Sequence, residues 1–324
     1  MKAILCRKYG TPDDLVLEEC DPPQMKDNQA RIKIKACGVN FPDVLMIAGK
    51  YQVQPPMPFS PGAEISGDVV EVGAKVTSLQ PGQRVLALCG YGGMAEEVCI
   101  DARAVIPIPD EMDYATAAGF ILTYGTSYHA LKQRARIQPG ESLLVLGAAG
   151  GVGLAAVELG VKMGARVFAA ASTPEKLALA AEYGASEGIN YLETGLKDAV
   201  KKITGGKGVD VIFDPVGGAL FDDCLRSVAW NGRILVIGFA SGDIPSIPAN
   251  LPLLKGSSIV GVFWGSFAER EPTEHLTNTK ELLQMYSEGM IKPHISDQFD
   301  LEAAADAIRT LADRRALGKV VVNI

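Results

Sequence analysis

Residues 143–157, Leu-Leu-Val-Leu-Gly-Ala-Ala-Gly-Gly-Val-Gly-Leu-Ala-Ala-Val, constrain this chain more than any other stretch. The apolar run 143–146 reads as a fully buried strand; it breaks at Gly147 and resumes after Gly153 with helical spacing and little charge. In such a strand, glycine turn and helix, Gly147 permits the tight turn, Gly150 lets backbone approach a diphosphate, and Gly153 lets the helix lie close to the strand. The helix start then offers N–H groups to the anion. The spacing Gly147-x-x-Gly150-x-x-Gly153 differs by one residue from G-x-G-x-x-G, so its flanking elements carry the assignment. A membrane span is the competing reading of 143–161, where Glu158 is the one charge. Its glycine content suits an isolated membrane helix poorly, and no second span follows.

At 324 residues the chain is long for one core and predicts two domains. A net charge of −7 argues against a broad surface for nucleic acid or for an anionic membrane. The six cysteines never fall into C-x-x-C spacing, and none of His129, His275 and His294 pairs with a nearby Cys or His, so no metal site is expected. The first residues have no long apolar core and no small-residue cleavage site, unlike a secretion signal. A reducing, cytoplasmic setting is the expectation.

Short β runs separated by Gly, Pro and Asp clusters fill the first third: 2–7, 15–20, 30–37, 65–72, 84–88 and 94–100. Within them Arg31, Lys33 and Lys35 alternate with Ile32 and Ile34, as a half-buried strand requires. This part reads as a small β barrel or twisted sheet, with 52–62 as a stiff proline loop. Helices are expected at 113–120 and 123–134. Strand and helix then alternate: strands at 143–146, 166–171, 188–190, 209–213, 233–237 and 259–263, helices at 151–162, 174–182, 196–203 and 220–227. Six strands with crossover helices predict a doubly wound parallel sheet, so the fold class is α/β. Helices at 274–287 and 301–313 and a last strand at 319–324 follow, the last returning to the β domain. The expected domains are 1–117 with 290–324, and 118–289.

An NAD site usually has an acid at the end of the second strand to hold the ribose 2′-OH. Here the strand runs into Ala171-Ser-Thr-Pro174 with no acid. A hydroxyl at Ser172 or Thr173 and the Lys176 ammonium would suit a 2′-phosphate, which makes NADPH the expected cofactor. Equally, Ser172 would simply cap the helix that Pro174 begins.

The motifs Cys37-Gly-Val-Asn-Phe-Pro-Asp43, Pro61-Gly-Ala-Glu-Ile-Ser-Gly67, Tyr124-Gly-Thr-Ser-Tyr128, Gly147-Ala-Ala-Gly-Gly-Val-Gly153, Phe213-Asp-Pro-Val-Gly217 and Gly318-Lys-Val-Val321 come in the order of a known family. Over its whole length the chain resembles the medium-chain dehydrogenase/reductases, and among them the zinc-independent quinone oxidoreductase (zeta-crystallin-like) branch. The resemblance implies a GroES-like β-barrel catalytic domain and a Rossmann domain. Zinc-dependent relatives place a ligand Cys where Val39 or Asn40 stands and Gly-His-Glu where Gly62-Ala63-Glu64 stands, so zinc is not expected. Without a Lewis acid, reduction of an already polarised acceptor, a quinone or an α,β-unsaturated carbonyl, is favoured over alcohol oxidation.

The same resemblance implies the site. Gly147, Ala149, Gly150, Gly151, Val152 and Gly153 would hold the diphosphate, with Thr126 near the pyrophosphate and nicotinamide side. Ser172, Lys176 and Tyr191 would surround the 2′-phosphate. Asn40 would lie at the nicotinamide ribose and carboxamide, flanked by Gly238, Phe239, Ala240 and by Val262, Phe263, Trp264. Quinone oxidoreductases tend to carry a Tyr and an Arg soon after the Asn, where Leu45 and Ile47 stand here. Met46-Ile-Ala-Gly-Lys-Tyr51 looks like the segment of mitochondrial enoyl thioester reductases whose tyrosine lies at the reacting double bond, making Tyr51 the candidate proton donor. Tyr51 packed on the proline loop is the structural alternative. Two other functions compete: an enoyl- or acryloyl-thioester (CoA) reductase, and an NADPH-binding, crystallin-like protein without turnover. The expected partners are a small-molecule acceptor and a second copy, since the apolar edge strand 259–263 would pair with its twin.

Overall fold

In the first unit the alternation at 29–39 becomes an eleven-residue strand, Gln29–Val39. Ala30, Ile32 and Ile34 are buried, while Arg31 and Lys35 are half-buried and Lys33 exposed. Glu64–Val72 pairs antiparallel along nearly its whole length. Its other edge is shared by Glu97–Asp101 and Lys319–Asn323, both antiparallel. The sheet runs Ile295–Asp300, Lys319–Asn323, Gln29–Val39, Glu64–Val72, Arg84–Leu88, Val105–Pro107. Its core joins Ile32, Ile34, Ile65, Val85, Val320 and Val322 to Ala307 and Ile308 of the helix Ala304–Ala312.

The structure, a computed structural model, describes all of residues 1–324. Its two units are 1–122 with 293–324, and 123–292. They divide slightly later in the chain than 117/118 and 289/290. The helix Tyr114–Ala118 rests on the first unit's sheet, where Ser66 Oγ donates to Tyr114 O at 2.6 Å. The N–H of Leu122 donates to Glu64.

In the second unit six strands are all parallel, in the order Glu187–Asn190, Arg166–Ala171, Ser142–Leu146, Val209–Asp214, Val228–Val236, Ser258–Gly261. Strand order reverses direction between Ser142–Leu146 and Val209–Asp214, the switch point where open α/β sheets bind ligands. Leu143, Leu144, Val145 and Leu146 are fully buried, as strands covered on both faces must be.

Several expectations need correction. The helix Phe41–Ile47, with Asn40 at its N-cap and Pro42 in its first turn, is absent from the sequence reading. The strand placed at 94–100 begins only at Glu97. The helix placed at 123–134 runs Ile121–His129 and then widens into a π-helix, Ala130–Ala135, that ends at left-handed Arg136, φ 49°. The strand placed at 259–263 stops at Gly261, because Trp264 opens another helix, Trp264–Arg270. The return of the last strand to the β domain is as expected: Val320 faces Val39 in the ladder.

Candidate functional site

In the second unit a glycine turn joins Ser142–Leu146 to the helix Gly151–Lys162. Gly147 has φ +57°, open to glycine at little cost. A Cβ on Gly153 would lie 2.1 Å from Gly147 O, so the helix packs against the turn at a distance only glycine allows. Gly150 is the N-cap of the helix Gly151–Lys162 and provides no side-chain cap. First-turn N–H groups of a helix have no intrahelical partner and point outward. Ser127 Oγ donates to Val152 O at 2.7 Å, fixing this turn to the helix Ile121–His129 that bears Thr126. Thr126 itself is buried.

At the end of the second strand, Thr173 and not Ser172 caps the next helix: its hydroxyl accepts from the Lys176 N–H at 3.4 Å. The cap falls there because Lys176 is the third residue of Pro174–Glu182 counted from Thr173. The half-buried Ser172 hydroxyl is therefore not taken up by the cap. Tyr191 opens the short helix Tyr191–Thr194, half-buried against the sheet core.

The segment 238–240 lies over the neighbouring loop, with Ala240 N–H donating to Pro215 O at 3.0 Å. A Cβ on Gly217 would lie 2.9 Å from the Phe239 ring. Beneath it, buried Asp214 accepts from the N–H groups of Val216 and Gly217; burial pushes its carboxyl above the usual range. In 262–264 the buried Trp264 ring fills the space left by Gly125, where a Cβ would meet it at 2.7 Å. It also packs edge-on to His275. Phe263, 55% exposed, is the aromatic of that segment that faces outward.

The first unit holds a second cluster. Asn40 caps Phe41–Ile47, and its N–H donates to Asp43 Oδ2 at 2.7 Å. Its Nδ2 donates to Gly38 O at 3.2 Å and to Glu64 Oε1 at 2.9 Å, while its Oδ1 accepts from Lys319 Nζ at 2.6 Å. Lys319 also pairs with Glu64. The amide of Asn40 is thus held chiefly by its own unit. Asp43, fully buried, also accepts from Gly62 N–H at 3.0 Å; burial pushes its carboxyl up to about 6. Tyr51 packs on the barrel core, and burial followed by the charge of Asp43 raises its phenol. The side chain that sequence reasoning missed is Lys319, quoted above only as part of a motif. Its signal was a lysine opening an otherwise apolar strand.

No group of three or more His, Cys, Asp and Glu side chains is arranged to hold a metal ion. No helix is long and apolar enough to cross a membrane.

Residues 26–110 match the alcohol dehydrogenase GroES-like domain, and 151–279 match the family model described as zinc-binding dehydrogenase. The chain belongs to the medium-chain dehydrogenase/reductases, in their quinone oxidoreductase branch, and is an oxidoreductase. It is 44% identical to a quinone oxidoreductase-like protein 2 homolog of Nematostella vectensis, over 99% of this chain and 88% of that one. Among solved structures, a mycobacterial protein complexed with NADPH is 30% identical with TM-score 0.94, each chain covered in full. The Escherichia coli quinone oxidoreductase complexed with NADPH is 28% identical with TM-score 0.94, again over 100% of both chains.

Proposed function

We propose that this protein is an NADPH-dependent reductase of a quinone or of an activated C=C bond, such as that of an α,β-unsaturated carbonyl, working without zinc. The glycine cradle at the start of Gly151–Lys162 carries the reading: a backbone that excludes a Cβ at Gly153 and offers uncapped N–H groups suits a diphosphate. When bound, NADPH supplies the hydride. The chain's own residues do the rest. Ser172 and Lys176, with no acid between Ala171 and Pro174, favour a 2′-phosphate over a bare 2′-OH. Solved relatives bound to NADPH support the same choice.

Asn40 serves the nicotinamide and Tyr51 the acceptor. The raised phenol of Tyr51 stays protonated at neutral pH, the form a proton or hydrogen-bond donor to a developing enolate needs. Zinc independence is supported by chemistry rather than vacancy: Ala63 has no donor, and the Asn40 oxygen faces an ammonium, which a cation would have to displace. Tyr51 also favours a second reading, reduction of an enoyl thioester.

A panel of quinones, enals and enoyl thioesters at fixed NADPH, followed by nicotinamide absorbance, tests the proposal. Turnover of one class identifies the acceptor; bound NADPH with no oxidation anywhere supports a non-catalytic, crystallin-like role. Stoichiometric zinc in the purified protein overturns the metal-free part. We further propose a homodimer. The edge strand Ser258–Gly261 is flanked by Trp230, Leu253 and Leu254, each about 70% exposed or more, an apolar surface that calls for a cover. A monomer by light scattering would refute it.

A further inference from the structure

We infer that the buried ion pair of Lys319 and Glu64 is a positioning device that fixes the starts of two helices, Phe41–Ile47 and Ile121–His129. Its geometry stands by itself; its consequence for catalysis rests on the function proposed above.

The side chains of Lys319 and Glu64 are 5% and 0% exposed. Glu64 Oε1 accepts from both Lys319 and Asn40, and Oε2 accepts from the Leu122 N–H at 3.0 Å. The pair therefore reaches the cap of one helix and the first turn of the other. Room for it is built into the backbone. A Cβ on Gly38 would lie 2.1 Å from Ala118 O and 2.7 Å from Glu64 Oε1, and a Cβ on Gly119 would lie 2.7 Å from Lys319 Cγ. Neither glycine has a positive φ, so space rather than conformation requires them.

Stability is a poor reason for such a pair, because desolvating two charges offsets most of their attraction. Orientation is what it delivers. An ammonium on Oδ1 and a carboxylate on Nδ2 leave the Asn40 amide one orientation, since a flip would set donor against donor and acceptor against acceptor. The helix that Asn40 caps runs toward Tyr51, and the helix whose first turn includes Leu122 carries Thr126. Lys319 and Glu64 touch neither cofactor nor substrate in this reading; they act through Asn40 and through the two helix starts.

Lys319→Met alone would strand a buried carboxylate and could fail to fold, so the test uses Lys319→Met with Glu64→Gln, a neutral pair of similar size. Amide exchange followed by mass spectrometry is expected to quicken by about tenfold or more in 40–47 and 121–129, and to stay unchanged in the sheet cores. Turnover with the best acceptor is expected to fall by about tenfold or more, with the NADPH dissociation constant within about twofold of wild type. Unchanged exchange in both segments overturns the device whether or not turnover exists. Wild-type turnover with quickened exchange overturns its part in catalysis. A wild-type protein that oxidises no NADPH overturns the functional reading instead, and the exchange result still decides the device.

Discussion

Two alanine substitutions in the glycine cradle separate what the turn does for the fold from what it does for the nucleotide. In Gly153→Ala the new Cβ would sit 2.1 Å from Gly147 O, 2.8 Å from Gly147 C and 3.1 Å from the Ala148 Cα. All are backbone atoms of a tight turn, so the helix or the turn must move by about 1 Å to reach van der Waals distance. Overpacking of that kind costs roughly 1–3 kcal/mol. For a unit of this size each kcal/mol is worth about 2–4 °C, so the expected fall in Tm is roughly 2–12 °C. In Gly150→Ala the new Cβ meets Gly147 O at 3.4 Å, an ordinary contact, and its φ of −82° suits alanine. The apo protein should melt within about 2 °C of wild type, since substitutions without a structural conflict stay near ±0.5 kcal/mol. If backbone at 150 approaches the diphosphate, however, the methyl intrudes there. The same overpacking range then weakens NADPH by roughly 5- to 150-fold. Calorimetric titration with NADPH and thermal melts of the apo proteins read both quantities. Wild-type NADPH affinity in a folded Gly150→Ala protein would refute the cradle, and an unaltered melt of Gly153→Ala would refute the packing argument.

Three further outcomes follow from the same geometry. Lys176→Ala should weaken NADPH by roughly 10-fold or more, the scale of one charged hydrogen bond, while leaving NADH nearly unchanged; equal losses for the two in parallel titrations would remove its role at the phosphate. Tyr51→Phe should lower turnover by about 10²-fold, as loss of a proton donor does, with NADPH affinity intact; steady-state rates across the acceptor panel check it, and unaltered rates with every acceptor exclude the phenol. Asp43 sets a pH dependence. Its carboxyl is raised from 3.8 to about 6 by burial, so its contribution to stability is full below about pH 4 and is lost as pH rises through about 6. The loss amounts to about 3 kcal/mol. Denaturant curves should therefore show wild type losing about that much relative to Asp43→Asn between pH 4 and pH 7, and parallel pH profiles for the two proteins would refute it.

Local sequence made the second unit legible. A buried strand, a glycine turn and a helix are read within fifteen residues, because the glycines are demanded by contacts between near neighbours such as Gly147 and Gly153. The central strands followed for the same reason: Ser142–Leu146 and Arg166–Ala171, almost wholly buried, are nearly continuous apolar runs. The ambiguity between Ser172 and Thr173 as helix cap was also local, yet one residue of register decided it, and only the folded backbone shows that Thr173 faces the Lys176 N–H. Trp264 shows where local reading fails. Its apolar neighbours look like a continuing strand, but the ring has a hole to fill at Gly125, 139 positions earlier in the chain.

The sequence by itself determined the class of fold and the glycine turn that opens the helix Gly151–Lys162, since both depend on residues only a few positions apart. Tertiary structure alone decided the cluster of Asn40, Glu64 and Lys319. Lys319 stands 279 positions from Asn40 and 255 from Glu64, and the three meet only because the strand Lys319–Asn323 pairs antiparallel with Gln29–Val39, which in turn pairs with Glu64–Val72. Burial in that sheet then turns three separate polar residues into one ion-paired cluster, because charges removed from water must find their partners inside the protein.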